Sequence, residues 1–126
     1  MQTSLDAKEL DLPLDRLRHA PEQDIRILAD IKKALVKTLA GRTYRLILFG
    51  SKARGDFERG SDIDVAVIVD GMDRVLKRAI YDTVIEVEFE HSTFTSTLPL
   101  STEEFQHLLS RERRIALDIQ REGISL

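Results

Sequence analysis

A chain of 126 residues, 42% of them hydrophobic, is sized for one domain around one modest core. Charged residues make up 33%, yet acids exceed bases by only three, so bulk electrostatic capture of nucleic acid, which needs a basic excess or stripe, is not expected. Cys is absent, which excludes disulfides and thiolate metal sites, and no apolar run approaches the roughly 18–20 residues of a membrane span.

Residues 1–20 are polar, carry Asp6, Glu9, Asp11 and Asp15, and contain Pro13. They lack the basic region and apolar stretch of a signal peptide, so a cytoplasmic protein is the default expectation. They read as an N-terminal arm with room for one short helical turn, and residues 21–126 as the domain proper. From Pro21 the pattern turns helical. Ile25, Leu28, Ile31, Leu35 and Leu39 follow three/four spacing, with Asp24, Arg26, Asp30, Lys32 and Lys33 on the other side and Gly41 as the stop. Tyr44 to Phe49 is a nearly continuous apolar run ended by Gly50, as expected of a strand buried on both faces.

A Gly-rich charged connection from Gly50 to Gly60 leads to a second strand, Asp62 to Val69, stopped by Asp70-Gly71. Met72 to Glu90 carries two patterns. Val75, Leu76, Ala79, Ile80, Thr83 and Val87 give a helical stripe, whereas Val84 to Glu90 alternates with the period of a strand. One long helix is preferred, because 19 residues without Gly or Pro leave no turn between two elements. Thr93 to Leu100 then supplies a third strand. Ser101-Thr102-Glu103-Glu104 fits a capping box, and a final helical region runs to Arg121-Glu122 with Gly123 as its stop. The expected order is α-β-β-α-β-α, an α/β domain with a small sheet.

Asp62 and Asp64 stand two apart on a strand, so both carboxylates project from one face, while Ile63, Val65, Val67 and Val69 point toward a helical layer. Paired carboxylates at the start of an apolar strand repel one another unless a cation sits between them, and hard oxygen ligands suit Mg²⁺ or Mn²⁺. With no Cys and no close His pair, zinc is a poor candidate. On the preceding strand, Gly50 permits close backbone approach to a phosphate and Ser51 adds a hydroxyl. Lys52-Ala53-Arg54 can open a helix whose free N–H groups attract anions. Arg54 is a candidate phosphate contact, and Ser61 can orient a metal-bound water or cap the loop. An anion cradle on one strand and a dication site on the next can together hold a nucleoside triphosphate as its magnesium complex.

The ordered set, an apolar strand, Gly50-Ser51, ten residues, then Asp62-Ile63-Asp64 flowing into an apolar strand, resembles the signature of the DNA polymerase beta-like nucleotidyltransferase superfamily and its minimal nucleotidyltransferases. Lys52-Ala53-Arg54-Gly55 is similar to the basic stretch that follows the Ser. The resemblance implies a small mixed sheet with helices on one face and the aspartates on the other. It implies transfer of a nucleoside monophosphate, most often AMP from ATP. Stand-alone chains of this look are similar to antitoxins that adenylylate a small helical HEPN-domain toxin. The alternative is a nucleotide-binding regulatory subunit that acts on its partner without chemistry.

Fully equipped family members carry a third carboxylate on the next strand. The expected third strand offers Thr95, Ser96 and Thr97 but no acid. Were Val84 to Glu90 that strand instead, Glu86, Glu88 and Glu90 would be candidates; as a helix, Glu86 and Glu90 form a solvated edge. His19, His91 and His107 lack metal spacing, and Arg111, Arg113 and Arg114, interleaved with Glu112 and Asp118, read as a salt-laced helix face.

Overall fold

The computed structural model describes residues 11–58 and 60–126. The first ten residues of the expected arm, and Arg59, read as a loop charge, lie outside the described residues. The second half of the arm brings a 3-10 turn at Leu14–Arg16 and contributes Leu12 and Leu17 to the core.

Helix α1 (Glu22–Thr38) forms where the three/four spacing ran, and Ile25, Leu28, Ile31, Leu35 and the following Leu39 are all buried. Strand β1 (Tyr44–Phe49) leads through Gly50 into the one-turn helix α2 (Ser51–Arg54), and strand β2 (Ile63–Val69) follows. Asp62 stands one residue ahead of that strand. The ambiguous segment is a helix: α3 (Arg74–His91) starts on Asp73, whose side chain accepts the Leu76 amide at 2.7 Å. Its inward residues Leu76, Ile80, Val84 and Val87 repeat with helical spacing, and their burial outweighs the local alternation. Strand β3 (Thr95–Ser101) is followed by α4 (Thr102–Ser110), which opens on the expected capping box between Ser101 and Glu104.

The expected single C-terminal helix is two. The chain breaks after Ser110, with Glu112 in the left-handed region at φ 52°, and resumes as α5 (Arg114–Glu122). The two short helices then pack on one another and on the sheet. After Gly123 a strand missing from the sequence reading, β4 (Ile124–Ser125), pairs with β1. Gly123 is required by space: a Cβ there would overlap the Ile119 carbonyl oxygen and the Ile47 side chain.

The sheet order is β3-β2-β1-β4, with β2 parallel to β3 and the other neighbours antiparallel, so it is mixed as expected. Ile63, Val65, Val67 and Val69 face the long helices α1 and α3 in one core cluster. The opposite face goes beyond the one-sided layout implied by the resemblance. There Ile47, Ala66 and Ile68 are covered by Phe105 of α4 and by Ala116 and Ile119 of α5. The two short helices therefore roof the far end of the aspartate-bearing face and leave its near end open.

Ile80, fully buried between α3 and the sheet, and Val36, exposed on α1, separate these roles. Ile80→Ala is expected to cost about 2–5 kcal/mol in denaturant unfolding, and Val36→Ala no more than about 0.5 kcal/mol. Equal effects would overturn the assignment of α3 to the core layer.

Candidate active site

The register of three strands builds the open end of the sheet. Asp64 lies beside Phe49 on antiparallel β1 and beside Ser96 on parallel β3. Residues level across neighbouring strands share a face, so the Ser96 side chain stands on the Asp64 side. Thr95 and Thr97 are level with Ile63 and Val65 and belong to the helical side. Phe49 being level with Asp64, the chain leaves β1 through Gly50-Ser51 at the end where Asp62 enters β2.

Gly50 has φ 76°, and a Cβ built on it would overlap Asp64 Oδ2. The glycine is therefore needed twice over, for its left-handed backbone and because the aspartate carboxylate occupies the space a side chain would take. Its carbonyl accepts the amides of Ala53 and Arg54, both at 3.1 Å, which winds α2; the amides of Ser51 and Lys52 precede that first bonded turn.

The site is electrostatically tense. Partial burial, and then the neighbouring Asp62, push the Asp64 carboxyl above its ordinary value; the Ser96 hydroxyl and Arg54 pull in the other direction. Asp62 itself is exposed. Arg54 donates through Nε to Asp56 at 3.1 Å and through a terminal nitrogen to Glu122 Oε2, also at 3.1 Å, and these two carboxylates raise its pKa further. Since Glu122 is the last residue of α5, the C-terminal helix is tied to the loop beside the aspartates.

The structure thus brings Gly50, Ser51, Asp62, Asp64 and Arg54 to one end of the sheet. Ser61 makes the loop-capping contact expected of it, its Oγ accepting the Glu58 amide at 3.1 Å. Lys52 is not available to a phosphate in this arrangement. Its ammonium pairs with Asp24 at 2.7 Å and lies 4.2 Å from the centre of the Phe57 ring, clamping α2 to α1. Glu86 and Glu90 are exposed on α3. Glu88 accepts from the Thr95 amide and hydroxyl, fixing the start of β3 on the helical side of the sheet. His91 pairs with Asp30 at 2.7 Å, away from the aspartates. Among the described residues no group of three or more His, Cys, Asp or Glu converges. The tether Glu122 was missed by the sequence reading; 68 residues from Arg54, it left no local signal.

A family model described as "Nucleotidyltransferase domain" matches residues 26–117, most of the chain, including Gly50, Ser51, Arg54, Asp62, Asp64 and Ser96. The chain belongs to this nucleotidyltransferase family. It is 44% identical over 48 residues to one protein of Methanocaldococcus jannaschii and 40% identical over 45 residues to a second, and both carry the name "Putative protein adenylyltransferase". The matches cover 38% and 36% of this chain, and 48% and 45% of the relatives, so the chain spans about half the length of the curated relatives it matches.

The raised Asp64 pKa sets a sign. Folding favours the protonated form, so in chelator the fold loses stability as pH rises from the ordinary carboxylate range through the raised value. Asp64→Asn, which cannot ionise, is expected to be more stable than the parent at neutral pH, by less than about 1 kcal/mol because the carboxylate is only half-buried. The difference should vanish below the ordinary Asp pKa. Thermal unfolding of both proteins across pH in chelator measures this, and a destabilised Asn variant at neutral pH would contradict it.

Proposed function

We propose that the chain is a metal-dependent nucleotidyltransferase that transfers AMP from ATP to a macromolecular acceptor. The observation that carries the proposal is the meeting of the Gly50-Ser51 turn with Asp62 and Asp64 at one open end of the sheet, in a chain of the nucleotidyltransferase family. The donor set fits a hard dication: two carboxylates, one raised by partial burial and then by the charge of the other, with a hydroxyl alongside and no thiolate. When bound, Mg²⁺ (or Mn²⁺) would escort the triphosphate and neutralise charge at the reacting phosphorus. Asp62 and Asp64 would hold it, and the Ser51 hydroxyl with the first amides of α2 would hold the outer phosphates. Arg54 would stand ready to meet phosphate from its Asp56–Glu122 anchor. The acceptor oxygen forms a bond to the α-phosphorus, the bond to the β-phosphate oxygen breaks, and pyrophosphate leaves while the acceptor proton passes to solvent.

The acceptor proposed is a protein, in keeping with the names of the two relatives. The likeness to minimal nucleotidyltransferases supports a cytoplasmic antitoxin that adenylylates a small helical HEPN-type toxin. Calorimetry with Mg-ATP tests the site. Asp62→Asn and Asp64→Asn should each lose metal-dependent binding by more than tenfold, and Ser51→Ala should cost about 1–2 kcal/mol. Parental affinity in both Asn variants would refute the metal assignment.

One observation favours a weaker catalyst or a purely regulatory subunit. The β3 residue level with Asp64 is Ser96, so a neutral hydroxyl occupies the place where a third acid could activate the attacking group. The isolated chain is therefore expected to transfer AMP slowly. Ser96→Asp should accelerate transfer at least tenfold, whereas Thr95→Asp and Thr97→Asp, which face the helical side, should not. Incorporation of radiolabelled AMP into a HEPN-type partner measures all three. Binding without any covalent label, in parent and Ser96→Asp alike, would decide for the regulatory reading.

A further inference from the structure

We propose that the outward face of α3 is a self-association surface on which a second copy of this chain packs antiparallel about a two-fold axis. The inner side of α3 is satisfied by the core, yet its outer side exposes large apolar residues toward both ends, with Arg78 and Asp82 between them. Val75 is 79% exposed, Ile85 56% and Phe89 86%, with Tyr81 half-open beside them. Single exposed apolar residues are ordinary on soluble proteins; several on one helix face mark an interaction surface. Positions 75, 78, 82, 85 and 89 follow the alternating three/four spacing of a two-helix seam, and at 100° per residue they lie opposite Leu76, Ile80, Val84 and Val87. Tyr81 and Ile85 also line a groove with Thr95 and Thr97 of β3, the edge strand of the sheet, so the surface continues onto a second element.

The charges on α3 identify the occupant. Arg74, Lys77 and Arg78 lie in its N-terminal part, and Asp82, Glu86 and Glu90 in its C-terminal part. Apart from the Asp73 cap and His91, this runs against the helix dipole, which favours acids at the start and bases at the end. A helix that is basic then acidic is complementary to a copy of itself running the other way. In an antiparallel seam, 78 lies against 82 of the copy and 75 against 85. This sets Arg78 against Asp82, Val75 against Ile85, and Arg74 beside Glu86, each twice by symmetry. A parallel copy would oppose like charges. Phe89 lies beyond the stretch paired in this register, Arg74 to Glu86, which is about 18 Å long, so a reversible dimer is expected rather than an obligate one.

Sedimentation velocity of the intact chain from micromolar to submillimolar concentration tests this, and its readout is independent of nucleotide transfer. The parent should dimerise reversibly. Ile85→Glu should weaken the dimer at least tenfold, and so should Arg78→Glu or Asp82→Lys alone. The double variant Arg78→Glu/Asp82→Lys should recover most of the parental affinity, because the swapped charges again face opposite partners. All of these positions are exposed, and circular dichroism melts would show each variant folded. A parent that stays monomeric throughout would overturn the proposal, including the case in which this face captures a different helical protein. A dimer indifferent to Ile85→Glu, or a double variant no better than the singles, would equally overturn it.

Discussion

The close approach of Gly50 to Asp64 is the constraint on which the rest of the site depends. The antiparallel register of β1 and β2 sets Phe49 level with Asp64, so the residue after Phe49 must pass over the carboxylate. Any side chain there would occupy the space of Asp64 Oδ2, and only glycine adopts φ 76° without strain. The turn that could receive phosphate and the carboxylate that could receive a cation are thus held against each other by backbone geometry. The reason for the glycine is therefore internal to the protein as much as it concerns a ligand. A larger residue at Gly50 would displace Asp64 before it obstructed a phosphate.

Elsewhere the molecule avoids this kind of tension. Among the described residues none that is polar or charged is fully buried, and no buried side-chain N or O atom lacks a hydrogen-bond partner. Against that background, a carboxylate raised by partial burial and by a like charge is conspicuous, because uncompensated charge in a fold is usually retained for a use. Arg54, whose charge reaches Asp64, is not loose. Asp56 fixes it from the loop and Glu122 from the end of α5. Through Glu122 the C-terminal helices, which roof the far end of the aspartate face, also contact Arg54.

Much of this was legible in the sequence. The apolar spacing of α1, the two central strands, the Ser101–Glu104 capping box and the meeting of Gly50-Ser51 with Asp62 and Asp64 are encoded over short distances, where periodicity and turn chemistry act. Met72 to Glu90 was harder, since a strand period was laid over a helical one. The helix prevailed because Leu76, Ile80, Val84 and Val87 bury together, which a strand would not allow. The break at Glu112 and the short pairing of Ile124–Ser125 with β1 carried no local mark. The first needs a left-handed residue at a position without Gly, and the second a partner strand nearly eighty residues away. The partners of Lys52 were hidden for a related reason. It sits in a motif whose basic residues suggest phosphate, yet Asp24 and Phe57, distant in sequence, engage it first.

The third strand shows how fine the remaining distinction is. Side chains alternate along β3, so Thr95 and Thr97 fall on the side where Glu88 anchors the strand to α3, and only Ser96 falls beside Asp64. The sequence presented three consecutive hydroxyl residues as equivalent; strand parity turns two of them to the helical side and one to the side of Asp64. What separates this site from a three-carboxylate one is therefore neither a missing element nor a shifted register. The strand is present, parallel, and level with the aspartates. The difference rests on one side chain, which bears a neutral oxygen. Such an oxygen can hydrogen-bond to Asp64 and ease its repulsion from Asp62, but it adds no charge with which to hold a second cation. Ser96 therefore relieves the metal-free fold without adding an anionic group beside Asp62 and Asp64.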